Sequence, residues 1–162
     1  MSTVHFVDTT VMTALLNIPK HNSDERCMAA KEEYELLDKN GDVFVLPLAV
    51  LVETGNHIAH IPDGNMRREI AIKFVTLIRE ATKPKNNWNV MPEISVSVMG
   101  AILDQFPEQA MTGVGFGDVS IIEQFNEYWE NRQPIGKMRI WSFDEHLLGY
   151  SQIGELSRRK NK

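Results

Sequence analysis

The chain has 162 residues, 43% hydrophobic and 24% charged, the proportions of one soluble globular domain. Its 17 Lys and Arg against 22 Asp and Glu leave a formal net charge of −5, which argues against a protein that coats nucleic acid by bulk positive charge. The single cysteine, Cys27, excludes an internal disulfide and makes a reducing cytoplasm the expected compartment. No apolar run approaches the roughly 20 residues of a membrane helix. The N-terminal MSTVHFVDTT also lacks the basic flank and apolar stretch of a secretory signal.

Short β-rich runs alternate with longer helical periods, without repeats or low-complexity linkers. Val4 to Val7 predicts a buried strand turning into a helix at Asp8-Thr9-Thr10, residues that cap well. Ser23, with Glu25 in the first turn, starts a helix with a partial apolar face of Met28, Ala29, Tyr34, Leu36 and Leu37; Asn40-Gly41 stops it. Val43 to Leu46 is the second strand. After Pro47 a helix carries Leu51, Glu53, His57 and Ile58, and Ile61-Pro62-Asp63-Gly64 reads as a turn. Met66, Ile70, Phe74, Leu77, Ile78 and Ala81 keep a helical period over residues 66–83, and Trp88 to Met91 is a third strand. ISVSV at 94–98 alternates like a strand, but Ile94, Val98, Ala101, Ile102 and Phe106 predict a helix through Phe106. Met111 to Gly117, with three glycines, reads as a flexible connector to a helix opened by Asp118, which shares a face with Ile122, Phe125 and Trp129. Met138 to Phe143 is the last clear strand, ending at Asp144. Residues 151–162 form a basic end expected to be a loose tail, without an obvious apolar run for a further strand.

This alternation predicts one α/β domain over residues 1–150, a parallel sheet covered on both faces. Ligands of such sheets collect beyond the carboxyl ends of the strands. Asp8 closes the first strand, Asp144 closes the last, Asp118 follows the glycine connector, and Glu53 lies early in the helix after the second strand. Four such carboxylates in one cleft would repel one another, and hard oxygen ligands of this kind suit Mg²⁺ or Mn²⁺. Two ions roughly 3.5–4 Å apart would make a phosphodiester-cleaving device.

VDTTVMTALL at the N-terminus, LVETGNHI around Glu53, GFGDVSII around Asp118 and WSFDEHLL around Asp144 resemble, in order and spacing, the four motifs of PIN-domain ribonucleases. The resemblance spans residues 4–150. It implies a Rossmann-like three-layer α/β/α sandwich and metal-dependent cleavage of single-stranded RNA, with Asp8, Glu53, Asp118 and Asp144 as the metal-binding acids. Thr9 and Ser142 would take the hydroxyl positions that orient a carboxylate or a water. Many bacterial members of this length are toxins of the VapC type, often dimeric and held inactive by an antitoxin. Thr10 departs from the family pattern, where Asn or Ser is common, and the chain is longer than compact toxins, with extra helix-forming sequence near residues 20–40 and 62–85.

Each acid also has an ordinary reading. Asp8 and Asp118 are good helix caps, Glu53 could be a solvated helix residue, and Glu145 rivals Asp144, although the Ser-x-Asp spacing favours Asp144. His57 and His60 follow Glu53 by four and seven residues, a spacing that reads first as half-buried or solvated histidines and second as metal ligands; Cys27 reads as a packing residue. Between residues 66 and 85, Arg67, Arg68, Lys73, Arg79, Lys83 and Lys85 face only Glu69 and Glu80, a local balance of +4 that could follow RNA phosphates or be a solvated face. A haloacid dehalogenase-type phosphatase would need a second acid where Thr10 stands and a Lys after a late strand, whereas Lys137 precedes one. A non-catalytic RNA- or protein-binding module would share the fold and differ in the acids. Setting the four acids aside leaves −1 for the rest of the chain, so most of the acidic balance belongs to the expected cleft.

Overall fold

The computed structural model describes residues 2–132 and 136–153. Strands β1 (Thr3–Val7), β2 (Val43–Pro47), β3 (Trp88–Met91) and β4 (Lys137–Trp141) are mutually parallel in the order β3-β2-β1-β4, and β5 (Ser151–Ile153) is antiparallel beyond β4. Helices α1 (Thr9–Leu15) and α2 (Asp24–Lys39) join β1 to β2. Helices α3 (Leu48–Ala59) and α4 (Gly64–Ala81) join β2 to β3, and α5 (Val96–Met111) and α6 (Phe116–Arg132) lead into β4. Successive crossovers step one way from β1 to β3 and then back to β4. Right-handed connections therefore put α5 and α6 on the opposite face from α2 and α4. The result is the expected three-layer α/β/α sandwich around a parallel sheet. Strand order reverses at β1, which opens a crevice beyond the carboxyl ends of β1 and β4.

The register explains how both faces are filled. His5, Phe44, Trp88 and Arg139 lie in one row across the sheet, and Phe44 stacks between His5 (5.6 Å) and Trp88 (4.8 Å) with Tyr34 of α2 against it (5.2 Å). Phe6 points the other way, edge-on to Phe125 and Tyr128 of α6. A polar chain runs through the α2 side. Arg139 Nε donates to His5 Nδ1 (2.9 Å), which leaves the ring proton on Nε2 facing Asp42 Oδ2 (3.0 Å). Arg139 Nη2 and Trp141 Nε1 donate to the two oxygens of Glu33 (2.7 and 3.0 Å). Gly41, at φ +73°, ends α2 and aims Asp42 at this chain.

Several boundaries differ from the sequence reading. β4 stops at Trp141, where its ladder with β1 ends opposite Val7, so Ser142 and Phe143 leave the strand and turn toward the crevice. α5 runs past Phe106 through Pro107 to Met111; the carbonyl that Pro107 leaves free belongs to Leu103, an exposed residue. α6 begins at Phe116, so the glycine connector shrinks to residues 112–115 and Asp118 stands inside the first turn rather than at the cap. The tail expected from residue 151 begins instead with β5, held by backbone pairing to β4 rather than by an apolar run. The remainder of that tail, 154–162, lies outside the described residues.

Burial holds the His5 titration below its ordinary 6.5, opposed by Asp42 and reinforced by Arg139. Unfolded His5 therefore binds its proton first, so stability is complete above pH 6.5 and declines as pH falls below it. Thermal unfolding of His5→Gln should show a shallower decline below pH 6.5 than the parent; an unchanged slope would contradict a neutral, buried His5.

Candidate metal centre

Asp8 follows β1 directly and caps α1, accepting a hydrogen bond from Thr10 N (3.2 Å), so the cap reading holds for this residue. Asp8 is 3% exposed. The same oxygen, Oδ2, also accepts from Thr10 Oγ1 (2.6 Å) and Ser142 Oγ (2.8 Å), while Oδ1 makes no hydrogen bond to the described residues. Thr10 Oγ1 in turn accepts from Phe143 N (3.0 Å), and Ser142 Oγ accepts from Asp144 N (2.8 Å). Two hydroxyls thus tie the ends of β1 and β4 together and orient two acids at once. Sequence reasoning treated Thr10 as a departure; its signal was a hydroxyl two residues after the strand-ending acid, within reach of that acid's own oxygen.

Glu53 sits in the second turn of α3, half exposed, and Thr9 Oγ1 donates to its Oε2 (2.9 Å). A Cβ on Gly117 would lie 3.5 Å from that oxygen, so the glycine lets the start of α6 approach α3. Asp118 is half buried at this approach. Desolvation, then the charges of Asp8 and Asp144, push its carboxyl up to about 6; Glu53 adds to this and a backbone hydrogen bond at Gly115 opposes it. Asp8, Glu53, Asp118 and Asp144 line one cleft of about 190 Å³. Glu145, the rival to Asp144, is exposed and outside it.

The cleft also holds His57, weighed above as a metal ligand, and Thr13, His21, Asn22 and Arg26, to which the sequence assigned no role. Thr13 donates to Thr10 O and accepts from Asn22, which stiffens the rim. His21 and His57 pack together at 4.1 Å, with His57 Nε2 3.9 Å from Glu53 Oε1; burial and His57 lower the His21 titration. His60 turns away and bonds Asn56 O. Arg26 lines the cleft yet forms no ion pair with the described acids; its guanidinium lies 5.2 Å over the Phe143 ring. The basic candidates Arg67, Arg68, Lys73 and Arg79 stand on α4, outside the cleft, where Lys73 pairs with Glu69 and Arg67 bonds Ala59 O.

No protein-family model matches the chain, and no curated protein matches its sequence. A chain of VapBC2 from Rickettsia felis, crystallised with a DNA fragment from the promoter, matches 86% of this chain and 99% of its own length at TM-score 0.51 and 14% identity. The likeness is one of fold. Among the described residues no helix is long and apolar enough to cross a membrane.

The donor chemistry is of the kind that suits a hard divalent cation: carboxylate oxygens from four elements, close enough to repel, with Asp118 held against ionisation. Among the described residues no three His, Cys, Asp or Glu side chains stand close enough together to hold a metal ion as they are placed. In chelator, Asp118→Asn should raise stability above pH 6 by about 1 kcal/mol after solvent screening. The gain should shrink from pH 6 toward 3.8, as the folded parent takes up its proton. Unfolding curves that show no gain above pH 6 would remove the repulsion.

Proposed function

We propose that this chain is a metal-dependent endoribonuclease that hydrolyses phosphodiester bonds of single-stranded RNA, of the VapC toxin kind. The observation that carries the reading is the convergence of Asp8, Glu53, Asp118 and Asp144 from separate elements at the point where strand order reverses. These four would hold Mg²⁺ or Mn²⁺, and the bound cation supplies Lewis acidity toward a phosphoryl oxygen and toward the attacking water.

The chain's own residues do the positioning. Thr10 and Ser142 fix Asp8, Ser142 also fixes the Asp144 backbone, and Thr9 fixes Glu53. Each hydroxyl in the cleft already donates its proton: Thr9 to Glu53, Thr10 and Ser142 to Asp8, Thr13 to Thr10 O. In the metal-dependent hydrolysis proposed, water rather than a side chain would be the nucleophile. Arg26, without an acid partner among the described residues and seated on Phe143, offers donors to a phosphate oxygen and offsets its charge. The RNA substrate, a homodimeric state and a cytoplasmic setting rest on the motif resemblance alone; the antitoxin partner rests on it and is in keeping with the fold shared with the VapBC2 chain.

Purified protein should cut labelled single-stranded RNA with Mn²⁺ or Mg²⁺ and stop when the metal is chelated. Asp8→Asn and Asp118→Asn should abolish cutting, whereas Thr10→Val should keep roughly 1–10% of the parent rate, the range expected for a residue that orients a metal ligand. No cleavage by the parent across varied RNAs and metals, or full activity in Asp118→Asn, would overturn the reading.

A further inference from the structure

A second cavity, of about 430 Å³, adjoins the acid cleft and shares Glu53 and Asp118 with it. Its walls come from α3 (Leu48, Val52, Asn56), from Ile94 before α5 and from Phe116 at the start of α6. Phe116 is 41% exposed and braced edge-on by Phe106 (5.1 Å, 79°), so its ring is held in place while part of it stays open. Val52 is 56% exposed. The Asn56 amide makes no hydrogen bond to the described residues, and Ser120 Oγ is already committed to Phe116 O (2.8 Å). Gly115 and Gly117 border the passage to the acids: a Cβ on either would lie 3.8 Å from Asp118 Oδ2 or 3.5 Å from Glu53 Oε2.

We propose that this cavity binds the nucleobase of the nucleotide next to the bond that is cut, an inference resting on the nuclease reading. An occupant must satisfy three conditions set by the walls. The part inside this cavity must be uncharged, since an anionic phosphate belongs with the cation that Glu53 and Asp118 would hold in the adjoining cleft. It must be flat and apolar enough to lie against Phe116 and the aliphatic wall. The third is an edge with donors and acceptors that the exposed Asn56 amide, one acceptor oxygen and two donor N–H groups, can meet in place of solvent. A nucleobase meets all three, and a cavity of this size is of the small-ligand class. The base would be tethered by a backbone that reaches the neighbouring cleft, where Arg26 can receive the phosphate. Base–aromatic stacking tolerates any base, and removing its platform costs roughly tenfold or more in affinity.

The test uses the full chain without metal, with methyl resonances of Val52 and Ile94 as reporters and the four uncharged ribonucleosides as probes. At least one nucleoside should give saturable shifts that disappear in Phe116→Ala. Val52→Trp, which fills the cavity from an exposed position, should abolish them too. On RNA, both variants should lower kcat/KM about tenfold with Mn²⁺ affinity unchanged, and the loss should vanish on an oligonucleotide abasic at the adjoining position. Nucleoside shifts without any RNA cleavage by the parent would keep the base site and remove the nuclease reading. Parent cleavage with no nucleoside shifts and an unaffected Phe116→Ala would overturn the base site and leave a protein-docking face in its place.

Discussion

Mutual repulsion among carboxylates at the carboxyl end of the sheet is the constraint on which the rest of this molecule depends. Asp8, Glu53, Asp118 and Asp144 reach one cleft from β1, α3, α6 and the turn after β4. Left alone, such charges would drive the elements apart. The fold holds them with neutral donors: two hydroxyls on one oxygen of Asp8, one on Glu53, and a backbone hydrogen bond at Asp118. These bonds fix orientation without neutralising charge, so the electrostatic cost stays in the site and shows at Asp118. A divalent cation would relieve it and would then couple folding stability to metal.

The scaffold that bears this cost is built elsewhere. Phe44, wholly buried between His5 and Trp88 with Tyr34 against it, anchors α2 on one face, while Phe6 anchors α6 on the other. The polar chain from Asp42 through His5 and Arg139 to Glu33 pins β1, β4 and α2 in one register. These contacts fix where β1 and β4 end, and therefore where Asp8 and Asp144 emerge. Rigid packing in the layers and open charge at the crevice divide stability from chemistry.

Much of this could be read before the structure. Strand-ending acids and the glycine connector pointed to Asp8, Asp144 and Asp118, because strand termini and helix starts leave local signatures; the motif resemblance added Glu53, and the structure brings the four to one cleft. Thr10 was legible only as a departure from a pattern, since its role depends on Ser142 and Phe143, more than 130 positions away. Arg26 carried no signal because its placement over Phe143 is wholly tertiary. The α4 cations drew notice by their count, yet their helix lies outside the cleft, and composition holds no record of which face a helix turns inward. β5 escaped because an edge strand held by backbone pairing needs no apolar run.

Anomalous scattering from crystals grown or soaked with Mn²⁺ addresses the metal centre most directly. The expected map has a peak in the cleft, with carboxylate oxygens of Asp8 and Asp118 at bonding distance and Glu53 or Asp144 bound directly or through water. A map with no peak there at millimolar Mn²⁺, or with ions only at surface acids such as Glu145, would contradict a metal-holding function for these four residues.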